Sequence, residues 1–170
     1  PAVGLVRISE DNLYVTPSSG SIQRGIDAAT AGDIVNVAQG TYNEVLALNK
    51  PNITVRSDAG PEVTIINVPD GTLTRGVTIY KNLGDVTLDG FTIQNFTEIG
   101  VLQGYLNRDG TAAHIWNNII IPAGNYLRSG IQVAGDGSTV KGNTVYGARL
   151  TQDWLSAGIH LVDNSNMTVE

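Results

Sequence analysis

Apolar residues recur along this chain in three interleaved series. Leu88, Ile115, Val140 and Val169 lie 27, 25 and 29 residues apart, and Val55 precedes Leu88 by 33. Ile65, Ile93, Ile120 and Val145 lie 28, 27 and 25 apart, with Val37 a further 28 before Ile65. Val77, Val101, Ile131 and Ile159 lie 24, 30 and 28 apart. Three apolar positions inside one period near 27 predict three short strands per period. Alternation within each strand sends one side inward and the other outward. A unit of three short strands cannot bury its inner face alone, whereas stacked units share a continuous core. The chain is therefore expected to be an all-β parallel solenoid of about five three-strand coils, a rod ~25 Å long at one strand spacing per coil.

Local copies support the period. Val86-Thr87-Leu88-Asp89-Gly90-Phe91-Thr92-Ile93 returns as His114-Ile115-Trp116-Asn117-Asn118-Ile119-Ile120 and as Thr139-Val140-Lys141-Gly142-Asn143-Thr144-Val145. A second type begins on glycine at Gly76, Gly100, Gly130 and Gly158 and then alternates. Asn118 and Asn143 fall at equivalent places, so an amide ladder between coils is expected, cut short because Phe91 takes the matching position. A β-sandwich would lack this nested triple period. A leucine-rich repeat would need a Leu-x-x-Leu-x-Leu core that does not occur.

The first residues differ. Ile22, Ile26 and Ala29 share one helical face, with Ser21 placed to cap the helix and Gly32 to end it. Residues 1–32 are read as an edge strand (Leu13-Tyr14-Val15) and a helix laid over the open end of the first coil, and 33–170 as the coils.

Composition narrows the chemistry. Glycine contributes 20 residues and asparagine 15, together 35 of 170, which suits a chain that turns often. A net charge of −6 with three lysines argues against nucleic-acid binding. The short apolar runs exclude an inserted transmembrane helix. The absence of cysteine removes disulfides, thiolate metal sites and thiol catalysis. Pro1-Ala2-Val3-Gly4 does not start a signal peptide, so the expectation is either a cytoplasmic protein or a signal removed before this numbering begins.

Ser21-Ile22-Gln23-Arg24-Gly25-Ile26-Asp27-Ala28-Ala29, followed by Gly32-Asp33-Ile34-Val35-Asn36-Val37 and Gly40-Thr41-Tyr42-Asn43-Glu44, resembles the opening of the right-handed parallel β-helix superfamily of pectate-lyase-like fold. That opening is shared by pectin methylesterases, polysaccharide lyases, C5-epimerases and NosD-like surface proteins. The resemblance covers about residues 13–170. It implies a right-handed solenoid and a polysaccharide ligand outside the cell or on its surface. The Gln-Asp-Thr-Leu and Val-Asp-Phe-Ile-Phe-Gly types of stretch of the methylesterases do not occur, nor does the Asp-Pro-His triplet of the epimerases or the paired arginines of the lyases. The expected function is therefore polysaccharide binding by a non-catalytic part of a larger protein. The alternatives are an enzyme acting on acidic polysaccharide (lyase, C5-epimerase or esterase) and a structural stalk or adhesin. The repeat stops in mid-period at Glu170, so a longer solenoid is expected, or association of copies through an open C-terminal coil.

Alternation predicts two outward rows: Thr78, Leu102, Gln132 and His160 on the glycine-led strands, and Asp89, Trp116, Lys141 and Glu170 on the strands that follow. Loops 104–111, 122–129 and 147–157 bring Tyr105, Arg108, Asp109, Tyr126, Arg128, Arg149, Asp153 and Trp154 to one side. Substrate-binding candidates are Tyr105, Tyr126, Trp116 and Trp154 for stacking on sugars, with Arg128 and Gln132 for polar groups. For an enzyme, His160 or Lys141 would be the base, with Arg149 and Asp153 beside it. The plainer reading packs the aromatics on the wall and pairs the arginines locally with aspartates. His114 stands at a strand start. Asp109, Asp136 and Asp163 occupy turns compatible with calcium, but their spacing is not clustered, so no cofactor or metal site is expected.

Overall fold

The computed structural model describes residues 7–9, 11–18, 20–69, 75–104, 110–124, 128–147, 157–162 and 168–170. A short strand β1 (Arg7–Ser9) pairs antiparallel with β2 (Asn12–Val15), and helix α1 (Ile22–Ala28) follows. The chain then runs through strands in groups of three. These are β3 (Ile34–Val37), β4 (Gly40–Asn43) and β5 (Leu46–Leu48), then β6 (Thr54–Ser57), β7 (Thr64–Asn67) and β8 (Arg75–Ile79). Next come β9 (Gly84–Asp89), β10 (Thr92–Phe96) and β11 (Ile99–Gln103), then β12 (Thr111–Trp116), β13 (Ile119–Pro122) and β14 (Ser129–Val133). The last are β15 (Thr139–Lys141), β16 (Thr144–Val145), β17 (Ala157–Leu161) and β18 (Thr168–Val169).

β2 pairs in parallel with β3, and from β3 to β15 each strand pairs in parallel with the one three places on, which makes a parallel β-solenoid with three walls. The long sheet has the order β1-β2-β3-β6-β9-β12-β15-β18, the second β16-β13-β10-β7-β4 and the third β17-β14-β11-β8-β5. The spacing implies about five coils; the five strands stacked in each shorter sheet bound four full turns.

Three inward columns make the core. On the long sheet Leu13, Val35, Val55, Leu88, Ile115 and Val140 stand in register and are buried. On the third sheet Val77, Val101, Ile131 and Ile159 follow one another as the spacing predicts. On the second sheet one position is corrected. Ile93 pairs with Ile66, which is fully buried, while Ile65 pairs with Thr92 and faces outward. Val37 belongs to the long sheet, and Tyr42 stands in the second-sheet column instead. A 28-residue step back from Ile65 lands on Val37 because this coil is shorter, 24 residues from Tyr42 to Ile66. The Ile65 error is one of phase. Adjacent apolar residues (Ile65-Ile66) leave the phase of a two-residue alternation undecided, and a slip of one reverses the face.

The glycines that begin the third-sheet strands are sterically required. A Cβ on Gly100 would lie 2.6 Å from the carbonyl oxygen of Gly130 and 2.5 Å from Ile120 Cγ2. On Gly130 it would lie 2.6 Å from the Gly158 oxygen and 2.4 Å from Val145 Cγ1. Backbone and core side chains therefore meet along a column with no room for a side chain.

The helix closes the first coil as expected. Ile22, Ile26 and Ala29 are buried, and Ser21 Oγ accepts from Arg24 N at 3.1 Å. The helix ends sooner than Gly32, at Ala29, whose N–H reaches both Gly25 and Ile26 carbonyls. The segment that carries the family resemblance holds this cap in place. Glu44 accepts from the N–H groups of Ile22 at 2.7 Å and Gln23 at 3.0 Å, satisfying donors that the helix itself leaves open. The Gln23 side chain bonds both backbone groups of Ala47. Asp33 accepts from Thr30 N at 2.7 Å, and the buried Tyr42 hydroxyl donates to Ala38 O at 2.9 Å.

Two outcomes follow from this packing. Gly100→Ala should lower unfolding free energy by about 1–3 kcal/mol, the usual cost of overpacking, in a urea titration. Burial of the Tyr42 phenol, reinforced by the Glu44 and Asp58 carboxylates, pushes its pKa from 10.0 up to about 12. The unfolded chain therefore loses this proton first as pH rises. The stabilisation is complete below the ordinary tyrosine pKa and is lost through the window up to about 12. Over that window the stability of the parent chain should fall more steeply with pH than that of Tyr42→Phe.

Candidate functional site

Outward positions of the long sheet form two columns. One runs Tyr14, Asn36, Arg56, Asp89, Trp116 and Lys141 in register, with Glu170 beyond. The other runs Thr54, Thr87, His114, Thr139 and Thr168. Polar side chains bond along and across these columns: Arg56 Nε donates to Asn36 Oδ1 at 2.8 Å within the first, and Asn36 donates at 2.9 Å to Oδ1 of Asn12, which stands in line with Thr54. Lys141 Nζ meets Glu170 at 2.8 Å, as the predicted row implies. Their hydrogen bond and attraction raise the lysine's pKa and lower the glutamate's. Both groups are well exposed, so the pair adds little to stability.

The columns join at Trp116. Its indole N–H donates to Thr139 Oγ1 at 2.8 Å, and its ring lies 5.4 Å from the His114 imidazole at 42°. His114 Nδ1 is 2.9 Å from the same Thr139 oxygen, and its Nε2 is 3.3 Å from Asp85 Oδ1. Four side chains from three neighbouring strands (β9, β12 and β15) thus make one bonded cluster with a half-buried indole at its centre. Asp85 also lines a cleft of about 370 Å³ with Gly84, Gly110, Thr111, Ala112 and Asp136. Asp85 and Thr139 were not picked out in the sequence. The register could have found Thr139, which lies 25 residues after His114 and one strand over.

The other predicted row lies on a different wall. Thr78, Leu102, Gln132 and His160 stand in register on the third sheet. This row is not an open face, for Leu102 is 2% and Gln132 4% exposed. Gln132 makes one long bond, 3.5 Å, to Gly104 O. His160 is partly buried and its Nδ1 has no hydrogen-bond partner. Arg128 is committed to Glu98 at 2.7 Å, and Arg75 reaches the same carboxylate at 3.6 Å. That is the local ion pairing weighed against a ligand role, here with a glutamate. The two proposed bases, Lys141 and His160, belong to different sheets and share no site. Tyr105, Arg108, Asp109, Tyr126, Arg149, Asp153, Trp154 and Asp163 lie outside the described residues.

Among the described residues no group of three or more histidine, aspartate or glutamate side chains could hold a metal ion, and no helix is long and apolar enough to cross a membrane. Fold and site together define a parallel β-solenoid with an aromatic, hydrogen-bonded cluster on its longest wall. No protein-family model and no curated protein matches the chain.

Proposed function

We propose that this chain is a polysaccharide-binding β-solenoid of the pectate-lyase-like kind, working outside the cell or at its surface, and that the glycan lies along the outer face of the long sheet. The observation that carries the reading is the fixed indole of Trp116. Its N–H is held by Thr139 and its ring rests against His114, so the free part of the ring is presented in one orientation. A preset aromatic plane loses little conformational freedom when a sugar ring stacks on it. Around it stand amide, hydroxyl, carboxylate and ammonium groups at one-strand intervals, a spacing suited to the repeated hydroxyls of an extended chain. Eight strands at that spacing give a face ~34 Å long, which favours a linear ligand over a compact one.

The charges on this face are mixed. Arg56 and Lys141 are offset by Asp89, Glu170 and Asp85, within a chain of net charge −6. That balance favours a neutral glycan over a polyuronate. The reading of an enzyme on acidic polysaccharide gains less support, since Arg128 is neutralised by Glu98 and the two bases are on separate walls. On a carbohydrate array followed by calorimetry, Trp116→Ala should weaken binding of neutral glycans ~10-fold, about 1.4 kcal/mol, while the same change at Tyr146 leaves it unaltered. Tyr146 is 55% exposed but follows the second sheet, so it serves as the control for a non-specific aromatic effect. Equal binding by Trp116→Ala and the parent would remove the long sheet as the glycan face.

A further inference from the structure

The hydrogen-bond directions around Thr139 can be worked out from what each partner is able to do. The Trp116 indole N–H only donates, so Thr139 Oγ1 accepts from it at 2.8 Å. An ionised Asp85 only accepts, so the imidazole nitrogen facing it, Nε2 at 3.3 Å, must carry the proton. In the neutral ring Nδ1 is then a bare lone pair, and the Thr139 hydroxyl proton is the donor to it at 2.9 Å. With His114 neutral, the chain of bonds reads Trp116 N–H to Thr139 O–H to His114, with the far side of His114 held by Asp85. A hydroxyl within reach of a base that a third group orients is the arrangement of an activated nucleophile.

The geometry points to a further activity: Thr139 as the nucleophile of acyl transfer from an O-acylated sugar, with His114 as general base and Asp85 as the group that orients it. The Thr139 oxygen bonds to the acyl carbon while its proton passes to His114 Nδ1, and the carbonyl electron pair moves onto the acyl oxygen. The indole N–H, now directed at Thr139 Oγ1, lies beside that developing oxyanion and can donate to it. Collapse breaks the bond to the sugar oxygen, which takes the proton from Nδ1 and leaves as the alcohol. Water then repeats the sequence on the acyl-threonine, releasing the carboxylic acid and restoring the hydroxyl. No metal, oxidant or reductant enters the balance. The aromatic plane and the nucleophile are hydrogen-bonded neighbours, so a sugar stacked on Trp116 carries its acyl groups to Thr139. The identity of the alcohol thus rests on the binding reading above, whereas the acyl chemistry does not. A secondary hydroxyl is a hindered nucleophile, so turnover is expected to be slow and the acyl-enzyme to accumulate.

The test uses an ester that contains no sugar. With p-nitrophenyl acetate the full chain should show a burst of p-nitrophenolate and, after acid quenching, an acetyl group on the peptide that carries Thr139. Thr139→Val should lose burst and adduct, Thr139→Ser should keep both, and His114→Gln should slow acylation ~100-fold, the contribution of a positioned base. Circular dichroism and glycan affinity of each variant separate a lost nucleophile from a lost fold, with Thr139→Ala as a second truncation. Absence of an adduct on Thr139 in the parent chain, or a burst unchanged in Thr139→Val, overturns the proposal and leaves the cluster as a cross-strand pairing only. An adduct in a chain that binds no glycan would sustain the acyl chemistry and remove the binding reading.

Discussion

Contact between glycine backbone and core along the third sheet is the constraint on which the rest of this solenoid depends. At Gly76, Gly100 and Gly130 a Cβ would meet the carbonyl of the next coil or a side chain of the second sheet closer than carbon atoms approach. Because these points admit only glycine, each coil can settle on the next in one register, and the registers of the other two walls follow from it. Ile93, Ile120 and Val145 of the second sheet point their methyl groups into the spaces that the glycines leave. The third and second sheets are thereby packed against each other through hydrogen-sized gaps, and the apolar columns form one continuous core.

Such a core leaves polar backbone at every corner, and the asparagines answer for much of it. Asn118 is fully buried; its Oδ1 accepts from Phe91 N at 2.9 Å and its Nδ2 donates to Leu88 O and Asn143 Oδ1, both at 3.1 Å. The ladder stops at Phe91, where the position turns apolar and the backbone N–H takes the amide of the coil beyond. Gln103 does similar work inside the third sheet, accepting from Ala134 and Gly135 N–H groups at 2.7 and 2.9 Å. Another set of asparagines, Asn52, Asn82 and Asn117, adopts positive φ at the corners. The abundance of glycine and asparagine thus has several sources: corners that need left-handed backbone, columns that need space, and buried carbonyls and N–H groups that need a partner.

This division explains what could be read from the residues alone. Period and strand count were legible, because Leu88, Ile115 and Val140 must be apolar at every turn. The phase of the second sheet was not, because Ile65 and Ile66 are both apolar and only pairing with Ile93 shows which one is inside. The predicted outer row of Trp116 and Lys141 was correct in register, yet nothing in one strand announces that Trp116 and His114 share a threonine from the next coil. That contact spans 23 and 25 residues and depends on side-chain directions across strands, which composition does not record. Arg128 shows the opposite case. Its type suggested a ligand, but Glu98, one coil earlier, sits where a ligand's carboxylate would otherwise be.

The same division bears on why the opening segment carries a fold and no activity with it. Glu44, Gln23, Asp33 and Tyr42, the most distinctive residues of that segment, are all engaged in fixing the helical cap or the first coil. A side chain occupied in this way is required by any solenoid begun in this manner, whatever the later coils do. Chemistry must instead be borne by outward positions that the core does not need. On the long sheet these are the columns through Asp89, Trp116 and Lys141 and through Thr87, His114 and Thr139. Each can change without disturbing Leu88, Ile115 or Val140, which point the other way on the same strands. In this chain those positions hold a tryptophan, a histidine and a threonine bonded to one another, with Asp85, paired opposite Ala112 on the same wall, bonded to the histidine. Packing of the wall does not require such a cluster, and for that reason the proposed binding and chemistry are placed there.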